Sequence, residues 1–173
     1  NGEAIAAADA DGLLYNPLAD ADIDTESNLS LWGELAAADL DDDGETEIAM
    51  MFGNDKLHVV DEDGSAHWAN PLSVDARSTP TLADLDQDGD LEIVVNGYGE
   101  GDLYVWHQNG SAYRNNAGRY VNLSLSEQYN YSGIAVADVD STSPGLEIVQ
   151  PLWNGELKLW KTHAGSGNPT NLW

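Results

Sequence analysis

Short apolar runs punctuate the chain: EIAMMF at 47–52, LHVV at 57–60, EIVVNG at 92–97 and LYVW at 103–106. Gly, Asn or Asp bounds each run, the punctuation expected of strands. No stretch carries a convincing apolar stripe at the helical period of about 3.6 residues. Asp63-Gly64 and Asn109-Gly110 sit between such runs, and both residue pairs readily take the positive φ of a tight hairpin. The alanine-rich AIAAAD at 4–9 occupies the place held elsewhere by EIAMM or EIVVN, so it is expected to be a strand as well.

The runs repeat in phase. ADLDDDGETEIAM (38–50), ADLDQDGDLEIVV (83–95) and ADVDSTSPGLEIV (137–149) share one pattern, with their first Asp at 39, 84 and 138. KLHVVDEDGSAHW (56–68) matches DLYVWHQNGSAYR (102–114), and a looser copy, ELKLWKTHAGS, begins at 156. A period of about 40–50 residues suggests propeller blades or helical arrays. Each unit contains an inner strand ending in A-D-[LV]-D, an acidic loop, E-I-[AV]-x, L-x-V-x, and a short outer strand expected near SAHW or SAYR. Four strands per unit make a β-propeller blade. The fold expected is all-β, one propeller domain or a segment of one across 1–173. Its blades fall at roughly 32–76, 77–130 and 131–173, with a partial one at 1–31 that lacks its inner strand. Closure is expected from sequence outside the chain, completing a ring of about seven or eight blades; a partner chain or a four-bladed ring with an unusual seam are the alternatives.

Charge changes the picture. The chain has 31 acidic and 6 basic residues, a formal net charge of −25. That excludes a protein that tracks nucleic-acid phosphates, and disfavours docking on anionic membrane. Disorder is not indicated, because 42% of the residues are hydrophobic and six Trp and seven Tyr are present. With no Cys there is neither a disulfide nor a thiolate metal site. No run approaches the ~20 apolar residues of a membrane span. The chain begins Asn1-Gly2-Glu3 and is expected to be a mature or excised segment.

The acidic loops are the candidate chemistry. In the first, Asp39, Asp41 and Asp43 alternate, Gly44 permits a sharp turn, Glu45 offers its carbonyl and Glu47 closes the shell. Carboxylates this close repel one another unless water or a cation intervenes. Hard oxygen donors in this number suit Ca²⁺ better than Mg²⁺, and Zn²⁺ would want His or Cys. The second loop repeats the scheme with Asp84, Asp86, Asp88, Gly89, the Asp90 carbonyl and Glu92. The third keeps Asp138, Asp140 and Glu147, puts Thr142 in place of the third Asp, and gains one residue before Gly145. Two Ca²⁺ sites are expected and a third, weaker one. An EF-hand does not fit, since its closing Glu lies at position 12 between helices. Here the closing Glu leads directly into a strand. The further acidic string Asp20-Ala-Asp22-Ile-Asp24-Thr-Glu26 lacks the glycine and is expected to be a solvated face.

The D-x-D-x-D-G-x-x-E loops, the E-I-[AV] strand after them, Phe52-Gly53 and the L-x-V-x strand before D-G-S or N-G-S resemble the FG-GAP/VCBS repeat family, the calcium-bearing blades of integrin-α-like propellers. The resemblance covers nearly the whole chain and implies structural Ca²⁺ held by Asp39, Asp41, Asp43 and Glu47, and by Asp84, Asp86, Asp88 and Glu92.

The function expected is a non-catalytic, extracellular or cell-surface module for adhesion, ligand binding or assembly, with a protein or carbohydrate partner. A polysaccharide-acting enzyme is the alternative, since some rhamnogalacturonan lyases carry similar A-D-L-D-x-D-G repeats. Its candidate residues would be His58, His67, His107, His163, Arg77, Arg114 and Arg119, but their spacing assembles no site. Self-assembly is the third possibility, because a blade without its inner strand leaves an edge open to another copy of the chain. Trp32, Trp68, Trp106, Trp153 and Trp160, with Tyr98 and Tyr104, recur in phase and are expected mainly to pack between blades; Trp173 is a candidate to dock on a neighbour. Asn28, Asn109, Asn122 and Asn130 lie in N-x-S sequons and are candidates for glycosylation.

Overall fold

The computed structural model describes residues 31–53, 55–68, 72–74, 76–99, 101–114, 118–121 and 129–162, with the strand residues 7–8, 13–16 and 21–24. The described strands form four antiparallel sheets, and no helix occurs among the described residues. The first sheet holds β1 (Ala7–Ala8), β2 (Leu13–Asn16) and β3 (Ala21–Asp24) in that order. The second runs β4 (Ala36–Ala38), β5 (Glu47–Phe52), β6 (Lys56–Val60), β7 (Leu72–Ser73). The third repeats it with β8 (Thr81–Ala83), β9 (Glu92–Asn96), β10 (Leu103–Trp106) and β11 (Arg119–Val121). The fourth has β12 (Ala135–Ala137), β13 (Glu147–Pro151) and β14 (Leu157–Lys161). Each sheet is a meander, every strand pairing with its neighbour in sequence.

One expectation is corrected. The outer strands are β7 and β11, downstream of SAHW and SAYR, which contribute only the single bridges Val60↔Ala66 and Trp106↔Ala112. The turn explains why. Asp61 N–H donates to Ser65 O (2.9 Å) and Gly64 N–H to Asp61 O (2.9 Å), so the chain doubles back too tightly to extend the ladder. Trp68 then leaves the sheet, and its Nε1–H donates to Gln108 O (2.8 Å) on the matching turn of the next unit.

The middle strands have apolar side chains on both faces because both faces are covered. Ala49 and Met51 of β5 join Leu57 and Val59 of β6 in a cluster with Ile93 and Val95 of β9. Ile48, Met50 and Phe52 point the other way, toward Leu31 and Leu35. Val94, Leu103 and Val105 of the third sheet pack on Ile148 and Trp160 of the fourth. The sheets therefore stack face to face, with β8 beside both β4 and β12. Continuous apolar runs, rather than strict alternation, are the sequence signature of strands buried on both sides.

A buried polar junction ties the third sheet to the fourth. Gln150 is fully buried; its Nε2 donates to Asn96 Oδ1 (2.9 Å), Gly101 O (2.9 Å) and Asp102 O (3.3 Å), while its Oε1 accepts from Trp160 Nε1 (2.8 Å). Asn96 Nδ2 in turn donates to Ser132 O and Pro151 O, both at 3.3 Å. Gly118 fits where no side chain could: a Cβ there would lie 2.1 Å from the Trp106 ring.

Candidate metal centre

Each acidic loop joins the end of an inner strand to the start of the second, so all three lie at one end of the stacked sheets. The first two loops share one conformation. Asp42 and Gln87 occupy equivalent positions and both have positive φ, 56° and 65°. Gly44 and Gly89 follow at 94° and 106°, values that L side chains adopt only with strain. A Cβ at either glycine would meet nothing within 4 Å, so glycine serves the backbone angle rather than space.

The first Asp of each loop organises it. Asp39 accepts from the N–H groups of Asp43 (3.1 Å) and Gly44 (2.9 Å), and Asp84 from those of Gln87 (2.6 Å), Asp88 (3.2 Å) and Gly89 (3.3 Å). The third Asp caps the turn: Asp43 accepts from Glu45 N–H (2.9 Å) and Asp88 from Asp90 N–H (3.1 Å). Glu45 itself is exposed, and repulsion from Glu62 and Asp43 raises its carboxyl above the ordinary range. The Asp90 carboxylate accepts instead from Gln108 Nε2.

The middle Asp has no such occupation. Asp41 Oδ1 and Asp86 Oδ1 are buried and have no hydrogen-bond partner, the same atom in both loops. Oxygens of Asp39, Asp41 and Asp43 lie within 4.8 Å of one another, as do those of Asp84, Asp86 and Asp88. A buried acceptor left without a donor is costly. Burial, then repulsion from Asp88, pushes the Asp86 carboxyl above its ordinary range. A hard divalent cation would answer both features, because it needs acceptors only.

The closing glutamates stand slightly apart. Glu47 Oε2 accepts from Leu40 N–H (2.7 Å) and Glu92 Oε2 from Leu85 N–H (2.8 Å), so each braces its own loop. Their other partners come from the neighbouring hairpin. Glu47 lies within 4.8 Å of ligand atoms of Asp61 and His67, and Glu92 of Asp86 and His107. His67 Nδ1 contacts Asp61 Oδ1 at 2.6 Å, and His107 Nδ1 contacts Glu92 Oε1 at 2.9 Å. Burial raises the Glu47 carboxyl. It pushes that of Glu92 up to about 7, Asp86 adding to the rise while the Leu85 N–H and His107 oppose it.

The third loop differs in kind. Glu147 Oε2 accepts from Val139 N–H and Asp140 N–H, both at 3.0 Å, while its Oε1 is buried without a partner. Thr142 turns inward on Asp140 through its hydroxyl (2.5 Å) and its N–H (3.1 Å). Asp138 is exposed. Lys161, paired with Glu147 in the β13–β14 register, brings its ammonium to 3.4 Å from Asp140 Oδ2. A cation of the chain's own thus stands beside the loop that lost its third Asp.

Asp61, His107 and Lys161 all end the third strand of their unit and all face the closing Glu. The sequence carried this signal as the residue just after L-x-V-x, but only the strand register assigns it a partner. The lyase candidates do not converge. His58 is buried against Phe52 (ring centroids 4.9 Å), Arg114 donates to Thr162 O (3.3 Å), and Arg77 lies between Trp32 and Tyr98. His163, Arg119's side chain, Trp173, Asn28 and Asn122 lie outside the described residues. Trp68, Trp106, Trp160 and Tyr104 are core residues, whereas Trp153 is 66% exposed. Asn109 presents its amide at an exposed turn, and Asn130 is buried.

Comparison with known proteins bears on the repeat and on the fold. Residues 84–142 match the FG-GAP-like repeat, spanning the second acidic loop through the first half of the third. No curated protein matches the chain. Among solved structures, the chain is similar to the V. cholerae biofilm matrix protein Bap1, with a TM-score of 0.56 and 17% identity over 87% of this chain and 32% of that one. It is also similar to a rhamnogalacturonan lyase from Bacillus licheniformis, with a TM-score of 0.53 and 16% identity over 90% of this chain and 35% of that one. At such identities the likeness concerns the fold alone, and the chain spans about a third of either structure. No helix among the described residues is long and apolar enough to cross a membrane.

Proposed function

We propose, for a chain that carries an FG-GAP-like repeat at 84–142, that it is part of an extracellular β-propeller whose blades are pinned by calcium and which serves adhesion or assembly rather than catalysis. The four-stranded meanders stacked face to face support the blade reading. The observation that carries the metal is the repeated orphan, Asp41 Oδ1 and Asp86 Oδ1, each buried amid neighbouring carboxylates. Calcium takes six to eight oxygens in flexible geometry, which suits this donor set. Asp39, Asp41 and Asp43, backed by Glu47, would hold one ion, and Asp84, Asp86 and Asp88, backed by Glu92, a second. The ion's chemistry is electrostatic: it neutralises the loop and fixes the first hairpin of the blade. In the third loop Lys161 takes over part of that work, so two ions are expected per chain and not three.

Extracellular calcium near ~1 mM fills sites with Kd of ~10⁻⁴ M, and a site at ten times its Kd adds ~1.4 kcal/mol by mass action. Two such sites add ~2.8 kcal/mol, which for a chain of this size shifts the melting temperature by ~6–11 °C. Isothermal titration with Ca²⁺ is expected to give about two sites per chain, with Asp86→Asn removing one. A melt unmoved by EDTA, together with no calcium heat, would defeat the proposal.

A further inference from the structure

At the end of the sheets opposite the acidic loops, residues leading into the inner strands meet residues leaving the second strands. Trp32, ahead of β4, stacks on Arg77, ahead of β8, with the guanidinium 3.9 Å from the ring centroid. Tyr98, just after β9, covers the other side at 4.0 Å. Tyr129 and Tyr131, ahead of β12, each lie 5.4 Å from the Tyr98 ring. Three successive units thus build one continuous row of rings around a single cation.

The row is supported from below. Trp32 N–H donates to Met51 O (2.8 Å), Glu34 N–H to Thr79 Oγ1 (3.0 Å), and Asn96 Nδ2 to Ser132 O (3.3 Å), so the backbone beneath it is tied across all three units. Its outer part is open: Tyr129 is 44% and Tyr131 56% exposed. Neighbouring aromatic rings left this exposed are unusual on a surface unless something covers them. Arg77 is equally out of keeping. It is one of 6 basic residues in a chain of net charge −25, yet no described carboxylate pairs with it, and its Nε has no hydrogen-bond partner. Lys158 and Lys161, by contrast, pair with Glu156 and Asp140.

We propose that Trp32, Arg77, Tyr98, Tyr129 and Tyr131 form a binding site for a uronic-acid-bearing oligosaccharide. The aromatic pair on its faces leaves the guanidinium only its in-plane N–H edge, whose fork matches a planar carboxylate. The exposed tyrosines offer flat apolar faces with hydroxyls at their tips, suited to the C–H face and hydroxyls of a pyranose. A dense polyanion would be repelled by the chain's own charge, so the site reads one carboxylate within a largely neutral, ring-shaped ligand. This deepens the adhesion reading by naming a ligand class, but it uses none of the residues assigned to calcium.

The test is titration of the whole chain, at fixed calcium, with a trisaccharide in which one glucuronate is joined to two neutral sugars, such as glucuronosyl-xylobiose, followed by calorimetry and chemical-shift changes. Saturable binding is expected. It should weaken about tenfold or more in Arg77→Gln, the loss of a charge-assisted bidentate contact, and several-fold in Tyr131→Ala. Tyr131 is exposed, so its variant keeps the fold and remains informative if Arg77→Gln does not. The methyl-esterified trisaccharide should bind as weakly as the free acid binds Arg77→Gln. Equal binding of the ester, binding indifferent to both substitutions, no binding at all, or tighter binding of a Glu-rich peptide would each overturn the assignment. Trisaccharide binding that survives in a chain showing no calcium heat would leave this site standing while the calcium reading fell.

Discussion

Replacing Gln150 by leucine removes the polar bridge between the third and fourth sheets while keeping the side-chain volume nearly constant. Three buried groups lose a partner: Trp160 Nε1–H, Asn96 Oδ1 and Gly101 O. Asp102 O does not, because Gly97 N–H still donates to it at 2.7 Å. An orphaned buried donor or acceptor costs about 1–3 kcal/mol. The added apolar surface of leucine recovers about 1–2 kcal/mol of the total. The expected loss is therefore about 1–8 kcal/mol, centred near 4–5 kcal/mol, and the central value corresponds to a fall of roughly 8–20 °C in melting temperature for a chain of this length. Urea unfolding followed by tryptophan fluorescence should show a lower midpoint with an unchanged slope. Trp160→Phe provides the second leg of a double-mutant cycle, because it removes the donor that Gln150 Oε1 accepts from. Contacting members of one network couple by about 0.5–3 kcal/mol. A loss below about 1 kcal/mol for Gln150→Leu, or strict additivity with Trp160→Phe, would show that the junction is incidental to the stacking of the sheets.

The remaining predictions concern charge. Burial keeps the folded Glu92 carboxyl protonated up to about 7, against an ordinary 4.5. Between those values the folded chain holds a proton that the unfolded chain has released, so in chelator stability should fall as pH rises through this window. Saturating calcium favours the carboxylate and should flatten or reverse that slope; identical pH profiles with and without calcium would contradict the assignment of Glu92 to a metal loop. Lys161→Met removes the ammonium beside Asp140, and calcium titration should then rise from about two toward three sites per chain. A stoichiometry that stays at two would credit Thr142 and the inserted residue, and not the lysine, with excluding the ion.

The strands at the centre of each unit were legible because burial on both faces forces an unbroken apolar run, as in EIAMMF and EIVVNG. The acidic loops were legible because the alternation of Asp and the left-handed glycine are local requirements. The outer strands β7 and β11 were not. They are short edge pairings, set by where the chain happens to return after its turn, and Leu72–Ser73 carries no periodic mark of its own. The partners of the closing glutamates were hidden for a related reason. Asp61, His107 and Lys161 differ in chemistry although they hold one structural place, and only the hairpin register aligns them. The aromatic row around Arg77 was hardest to foresee. In sequence, Trp32 and Tyr98 look like the tryptophans and tyrosines of the core, and only the contact between successive units sets them apart.

The lysine beside the third acidic loop makes the repeats unequal in their needs. If calcium pins the first two loops, the segment from 132 to 162 would keep its shape where divalent ions are scarce, while those two loops would lose their electrostatic clasp. Damage would then spread from the amino-terminal side, and a protease would meet its first openings near 39–47 and 84–92. Such a molecule reports the ionic composition of its surroundings by how much of itself it leaves intact.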